Sequence, residues 1–338
     1  MSKIRVAFIG CGGMSSQLQQ CIPMIPEFEF VATCDLVKEK AKANARKFGA
    51  LRHYTDYDEM LKNEELNAVA VVGRPEDKLH RDIGIQCLKR GYHIYTEKPP
   101  ATTVEGAKML VDASIESGKT GMVGTMWRHA PAHRMAKELM EAESFGTVCQ
   151  YHTRYLAPSP RIHEPETPFA WRYMLDQTIH PTDCMRFFMG PVSELFAFGT
   201  IDEDTGTVSI SVNLRYENGA IGTMTLGIGP VLEAMVFIKG SNHQAIQVFE
   251  TRKLRFYRMP TWSGTGGGYA DTPTEEWDLN TAFHGIGRPG YLEEMRHWAQ
   301  SLLAGKQPEA SLEDAYQNMR VLKGISDSVE TGRISTFD

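Results

Sequence analysis

Across its first 120 residues the sequence alternates apolar runs of strand length with segments of helical period. No other feature limits the fold so strongly. Ile4 to Ile9 is almost continuously apolar, as a strand buried on both faces must be. Phe28 to Cys34, Ala68 to Val72, His93 to Tyr95 and Thr120 to Val123 repeat that character. Between them, Lys38 to Phe48 sets Ala41, Ala45 and Phe48 at helical spacing, and Ile83 to Lys89 and Val104 to Ile115 share the period. Strand, helix and strand in this succession predict parallel βαβ units in an α/β doubly wound sheet.

From about residue 147 the texture changes. Val148 to Tyr155, Glu194 to Phe198, Thr207 to Tyr216, Ala220 to Gly227, Ala234 to Lys239 and Ala245 to Phe249 are strand candidates in close succession. Asn218-Gly219 between two of them signals a hairpin, since both residues tolerate positive φ. Helices are expected from Tyr291 to Leu303, stopped by Gly305 and Pro308, and from Asp314 to Val329. The expectation is a first domain over 1–123 and a second over 124–338, the latter α/β with a large open, mostly antiparallel sheet. Its C-terminal helices are free to pack back on the first domain. The stretches 159–170 and 263–268 read as loops, the second glycine-rich enough to serve as a lid.

A chain of 338 residues has room for two such domains and needs no disulfide or metal staple. Its net charge of −6 gives no electrostatic reason to bind nucleic acid or an anionic membrane. Neither a secretory signal nor an apolar stretch of about 18 residues is visible. The six cysteines show no CxxC spacing and the histidines no zinc-like spacing. Reduced structural thiols, a cytoplasmic location and no metal are therefore expected.

Directly after the first strand stands Gly10-Cys11-Gly12-Gly13-Met14-Ser15. Gly10 would make the tight turn and Gly12 would let the backbone approach a pyrophosphate at a helix N-terminus, while Ser15 replaces the third glycine of the dinucleotide pattern. Asp35 ends the second strand, where an acid accepts hydrogen bonds from a ribose 2′-hydroxyl and repels a 2′-phosphate. Leu36 and Val37 follow, with no Arg to receive a phosphate, so NAD is favoured over NADP. The plainer alternative is that Asp35 caps the helix beginning at Lys38. Glu97-Lys98-Pro99-Pro100 follows the His93 strand at the sheet edge where doubly wound folds bind ligands. Asp176 and His180 are four apart, so on an α-helix they share a face and can serve one substrate, although such a pair also suits a cap or an ion pair.

Together these residues resemble the glucose–fructose oxidoreductase, inositol dehydrogenase and rhizopine-catabolism (Gfo/Idh/MocA) family along nearly the whole chain. The likeness runs through Gly10 to Gly13, Cys34-Asp35, Glu97-Lys98-Pro99, Val123-Gly124-Thr125-Met126-Trp127-Arg128 and the Asp176/His180 pair with trailing Asp183. Asn218-Gly219-Ala220 and Glu313-Asp314-Ala315 complete it. The resemblance implies an N-terminal Rossmann domain, an open-faced second domain and a homo-oligomer, dimer or tetramer. It also implies NAD-dependent oxidation or reduction of a sugar, cyclitol or glycoside. Lys98, Asp176 and His180 take the family's catalytic positions, with Gly10, Cys11, Gly12, Gly13, Met14, Asp35, Gly73, Pro75, His80, Glu97 and Lys98 around the cofactor. The chain departs from the family where Trp171-Arg172-Tyr173-Met174-Leu175 runs straight into Asp176 and where Gln177 is bulkier than usual. His163-Glu164 and His284 are read as exposed loop residues, with contact to the substrate as the alternative. Two other activities remain open: a redox-neutral enzyme that oxidises, eliminates and re-reduces its sugar, and a non-catalytic NAD-binding regulator.

Overall fold

The computed structural model describes residues 3–160, 167–258, 273–279 and 290–337. The chain divides into two compact units, Met1–Met126 with His284–Arg320, and Trp127–Phe283 with Val321–Asp338.

In the first unit β1 (Ile4–Ile9), α1 (Gly13–Gln19), β2 (Phe28–Cys34), α2 (Lys38–Phe48), β3 (Arg52–Tyr54) and α3 (Tyr57–Asn63) come first. Then follow β4 (Ala68–Val71), α4 (Gly84–Lys89), β5 (His93–Glu97), α5 (Val104–Ser117) and β6 (Gly121–Gly124). The strands lie in the order β3-β2-β1-β4-β5-β6, all parallel. The five expected strands are present, and β3 is an addition: it spans three residues on the sheet edge with its arginine and histidine exposed, so no apolar run announced it. Successive residues of β1 serve opposite faces. Val6 and Phe8 pack with Phe28, Phe30 and Tyr95, while Ala7 and Ile9 pack with Val31, Val69 and Leu110.

The strand order reverses between β1 and β4, which opens the crevice where such sheets receive ligands. Gly10 turns the chain there with φ of +98°, and a Cβ on it would stand 1.9 Å from the Val72 carbonyl oxygen. Only glycine fits that approach.

In the second unit α6 (Pro131–Glu141), β7 (Val148–Ala157), α7 (Phe169–Tyr173) and α8 (Ile179–Met189) precede a run of strands. These are β8 (Val192–Asp202), β9 (Thr207–Tyr216), β10 (Ile221–Ile228), β11 (Glu233–Gly240), β12 (Ala245–Phe249), β13 (Lys253–Tyr257) and β14 (Glu275–Asp278). The chain continues through α9 (Tyr291–Leu303), which packs in the first unit, α10 (Leu312–Thr331) and β15 (Ser335–Thr336). Nine strands form one sheet in the order β14-β13-β12-β11-β7-β10-β9-β8-β15, antiparallel except between β7 and β10. Along β9 every second residue is buried: Val208, Ile210, Val212 and Leu214 face the core, and Ser209, Ser211 and Asn213 face outward. On that open face Phe198 is 59% and Ile221 53% exposed.

The β9–β10 hairpin differs in detail from its sequence signature. Only Gly219 adopts positive φ, at +83°, and the loop has three residues, closed by the Tyr216 N–H on the Ala220 carbonyl at 3.0 Å. Asn218 contributes through its side chain, which accepts from the Ala220 N–H at 3.0 Å and donates to the Met189 carbonyl at 3.1 Å.

Trp298 of α9 is wholly buried between Phe28 and Tyr95, with ring centroids 5.5 and 5.6 Å away. Trp298→Ala should destabilise the first unit by about 3–5 kcal/mol through lost burial and the cavity left behind. Denaturant unfolding followed by circular dichroism measures this, and a loss below about 1 kcal/mol would contradict the packing described.

Candidate active site

The turn after β1 is built to receive something from outside. The Gly12 and Gly13 positions open onto empty space, so internal packing does not call for glycine there. A bare backbone at that point instead leaves room for close approach by a ligand. Helix α1 starts without a side-chain cap and without an acid in its first turn. Its leading N–H groups therefore face outward, as an anion requires. Ser15, in the third glycine's place, is buried and donates its hydroxyl to the Gly10 carbonyl at 2.6 Å. Gln19, one turn on, donates to both the Ser15 hydroxyl at 2.9 Å and the Gly10 carbonyl at 3.3 Å. Sequence reasoning gave Gln19 no role; its i+4 spacing from Ser15 is the only signal it carried.

Asp35 does not cap α2, whose N-cap is Val37. Its carboxylate accepts the Cys11 N–H at 2.8 Å and the Val37 N–H at 2.8 Å, tying the glycine turn to the end of β2. Each oxygen keeps a lone pair for a further donor such as a ribose hydroxyl. Beside it Leu36 is 90% exposed. Burial raises the Cys11 thiol to about 11 and the Cys34 thiol to about 12, so both stay protonated and inert at neutral pH.

The ends of β4 and β5 are joined by His80, within a π-helical stretch from Asp77 to Ile83. Its Nε2 accepts the Gly73 N–H at 3.3 Å and its Nδ1 lies 2.7 Å from the Pro99 carbonyl, which fixes the proton on Nδ1. Burial pushes its pKa from the usual 6.5 down to about 4, so it is neutral at pH 7. Both nitrogens being engaged inside the protein, His80 holds Gly73 and Pro99 in place. Pro75 lies between them in sequence, its peptide with Arg74 cis, as is that of Lys98 with Pro99. Glu97 is buried, and desolvation lifts its carboxyl to about 7 against the pull of the Lys98 charge. It takes the Lys98 N–H at 3.2 Å and meets the Tyr95 hydroxyl at 3.3 Å, which also lies 3.0 Å from buried Glu294. Lys98 follows, half-buried.

In the second unit Asp176 and His180 do not share a regular α-helical face. Asp176 lies in a π-helical turn, Met174–Thr178, between α7 and α8, and His180 is the second residue of α8. The i→i+5 bonding of that turn widens the helix, so the α-helical spacing rule does not apply across it. Asp176 is buried and accepts from the Gln177 amide at 3.1 Å, whose oxygen in turn accepts the Tyr155 hydroxyl at 3.2 Å. His180 is half-buried and stacks on Trp127 at 5.6 Å and 19°. Asp183 is committed to a buried ion pair with Arg128, one arm of it 2.8 Å long. Trp127 entered the sequence analysis only within the motif Val123 to Arg128, and Tyr155 only as the end of a strand, neither with a role at the site. His163, Glu164, His284 and the 263–268 loop lie outside the described residues.

Among the described residues no group of His, Cys, Asp and Glu is placed to hold a metal, and no helix is long and apolar enough to cross a membrane. Residues 4–125 match the oxidoreductase family with an NAD-binding Rossmann fold, and residues 133–241 match the GFO/IDH/MocA C-terminal domain. The chain is 24% identical to the myo-inositol 2-dehydrogenase of Thermotoga maritima, covering 96% of this chain and 95% of that one. It is 24% identical to the scyllo-inositol 2-dehydrogenase (NAD(+)) of Bacillus subtilis, over 98% and 95% of the two chains. Its fold is similar to that of levoglucosan dehydrogenase in complex with NADH and L-sorbose, with a TM-score of 0.80, 21% identity and 100% of each chain covered.

The His80 geometry sets a pH dependence of stability. Its folded pKa, about 4, lies below the unfolded value near 6.5, so the unfolded chain takes up the proton first. The His80 contribution is whole above pH 6.5 and is lost as pH falls toward 4. In urea unfolding at pH 7 and pH 5, His80→Gln should lose less stability on acidification than the wild type; equal losses would count against a neutral buried imidazole.

Proposed function

The chain belongs to the GFO/IDH/MocA family of NAD(P)-dependent oxidoreductases, and on that premise we propose that it is an NAD-dependent dehydrogenase of a polyhydroxylated substrate, a sugar, cyclitol or glycoside. The observation that carries the reading is the half-exposed imidazole of His180 at the start of α8, a few residues from the buried carboxylate of Asp176. The inositol dehydrogenases among its relatives support the substrate class.

In this reaction a secondary carbinol loses a proton from oxygen and a hydride from carbon, leaving a ketone. Bound along Gly10 to Gly13, NAD supplies the hydride acceptor. His180 takes the hydroxyl proton as general base, a role that suits an imidazole near neutral pH. Lys98 offers an ammonium to the developing alkoxide. Asp176, its carboxylate oriented by Gln177, holds a neighbouring hydroxyl. Asp35 selects the cofactor: its charge accepts the ribose hydroxyls and repels a 2′-phosphate, with exposed Leu36 and half-exposed Val37 offering no cation in compensation. The reading includes a reducing compartment, in keeping with six unpaired thiols.

Purified protein with NAD⁺ and a panel of inositols, aldoses, sugar acids and glycosides should give sustained NADH absorbance with one class. Product formed without NADH would replace the dehydrogenase with the redox-neutral cycle. His180→Ala should lower turnover by about 10²–10⁴-fold with NAD affinity unchanged; undiminished turnover would remove His180 from the mechanism. Asp35→Ala should weaken NAD binding and narrow the gap between NAD and NADP, and a variant that still discriminates like the wild type would show that selection lies elsewhere.

A further inference from the structure

We propose that Trp127 is a positioning residue for His180, and that Tyr155 and Gln177 tie it to Asp176, so that one bracket of rings and an amide orients both side chains. The inference rests on the catalytic reading of that pair given above.

The χ2 torsion of a histidine is broad, so packing against the ring narrows the choice of its plane. Here the indole of Trp127 stacks on the ring at 5.6 Å and 19°. Trp127 is itself immobilised from three directions. His133 lies nearly parallel to the indole at 6.0 Å and 18°. His133 is fully buried, and among the described residues neither of its nitrogens meets a hydrogen-bond partner. Burial lowers its pKa to about 3, so it is an uncharged ring at neutral pH. His133 therefore adds no positive charge beside the indole to oppose an imidazolium stacked on it. At the edge Tyr155 of β7 meets the indole at 5.5 Å and 68°. Along the backbone the next residue, Arg128, is clamped to Asp183 of α8, less than one turn beyond His180.

Tyr155 also begins the polar arm. Its hydroxyl donates to the Gln177 oxygen at 3.2 Å, and the Gln177 nitrogen donates to Asp176 at 3.1 Å. The two arms meet in a single buried tyrosine, so the plane of the imidazole and the direction of the carboxylate are set by one frame. Gln177, bulkier than the resemblance leads one to expect, is the link that lets the frame reach Asp176.

The test is histidine NMR on the full chain with isotope-labelled imidazoles, the His180 signal being assigned from His180→Ala. In the wild type the carbon-bound ring protons of His180 should be displaced by the indole ring current. Trp127→Leu should abolish the displacement, Trp127→Phe should keep part of it, and Tyr155→Phe should leave it in place. With the panel polyol that gives the highest wild-type rate, Trp127→Leu should lower kcat about tenfold to a hundredfold while the KM for NAD stays constant, and Trp127→Phe should restore much of the loss. An undisplaced His180 signal in the wild type, or a Trp127→Leu protein that binds NAD normally and keeps both the signal and kcat, would overturn the proposal. Should Trp127→Leu fail to fold, Trp127→Phe decides: a wild-type signal and kcat there also overturn it. Full turnover in His180→Ala would instead overturn the catalytic reading, whereas the resonance tests the bracket without any substrate.

Discussion

The meeting of two backbones at Gly10 and Val72 governs the first unit. The end of β1 lies so close to the end of β4 that a single methyl group would strike a carbonyl oxygen. From that contact the rest follows in order. The turn is tight, so the chain enters α1 with its leading amides turned outward. Ser15 and Gln19 then hold the Gly10 carbonyl, and Asp35 holds the Cys11 amide. On the other side His80 links Gly73, just past Val72, to Pro99. A cofactor platform is in this sense a set of backbone groups kept from relaxing into each other.

The second unit reaches its chemistry differently. Its sheet has one face covered, and the residues proposed for the reaction and their bracket rise from the covered side: Tyr155 from β7, Asp176 from a π turn, His180 from α8. Ring stacking does there what amide hydrogen bonds do in the first unit. The Arg128–Asp183 pair is buried on both sides, and removing one partner would leave a lone charge in an apolar setting.

What the sequence disclosed depended on how each element earns its burial. Strands covered on both faces, such as β1 and β4, are apolar almost throughout and were legible at once. The outer sheet was legible wherever alternation was regular, as in β9. By contrast β3 has no buried residue, and β15 has two residues. In β13 Leu254 and Phe256 do point inward, but the lysine and arginines around them, paired with Glu276 and Glu275 of β14, gave the segment a loop's composition. The π turns were invisible because hydrophobic period assumes 3.6 residues per turn, and the spacing argument for Asp176 and His180 inherited that assumption. His180 and Trp127 are far apart in sequence, and no local pattern records a stack of that kind.

The first unit is discontinuous. Its first segment ends at Met126, yet Met295 and Trp298, which fill the pocket beside Phe28 and Tyr95, arrive only after most of the second unit has been spelled out. At the ribosomal rate of roughly 5–20 residues per second, that interval lasts on the order of ten to thirty seconds. During it the nascent chain carries an aromatic hollow with no plug. A growing polypeptide of this architecture cannot finish one half before beginning the other, so the packing of its first half is completed only when the indole of Trp298 has been made.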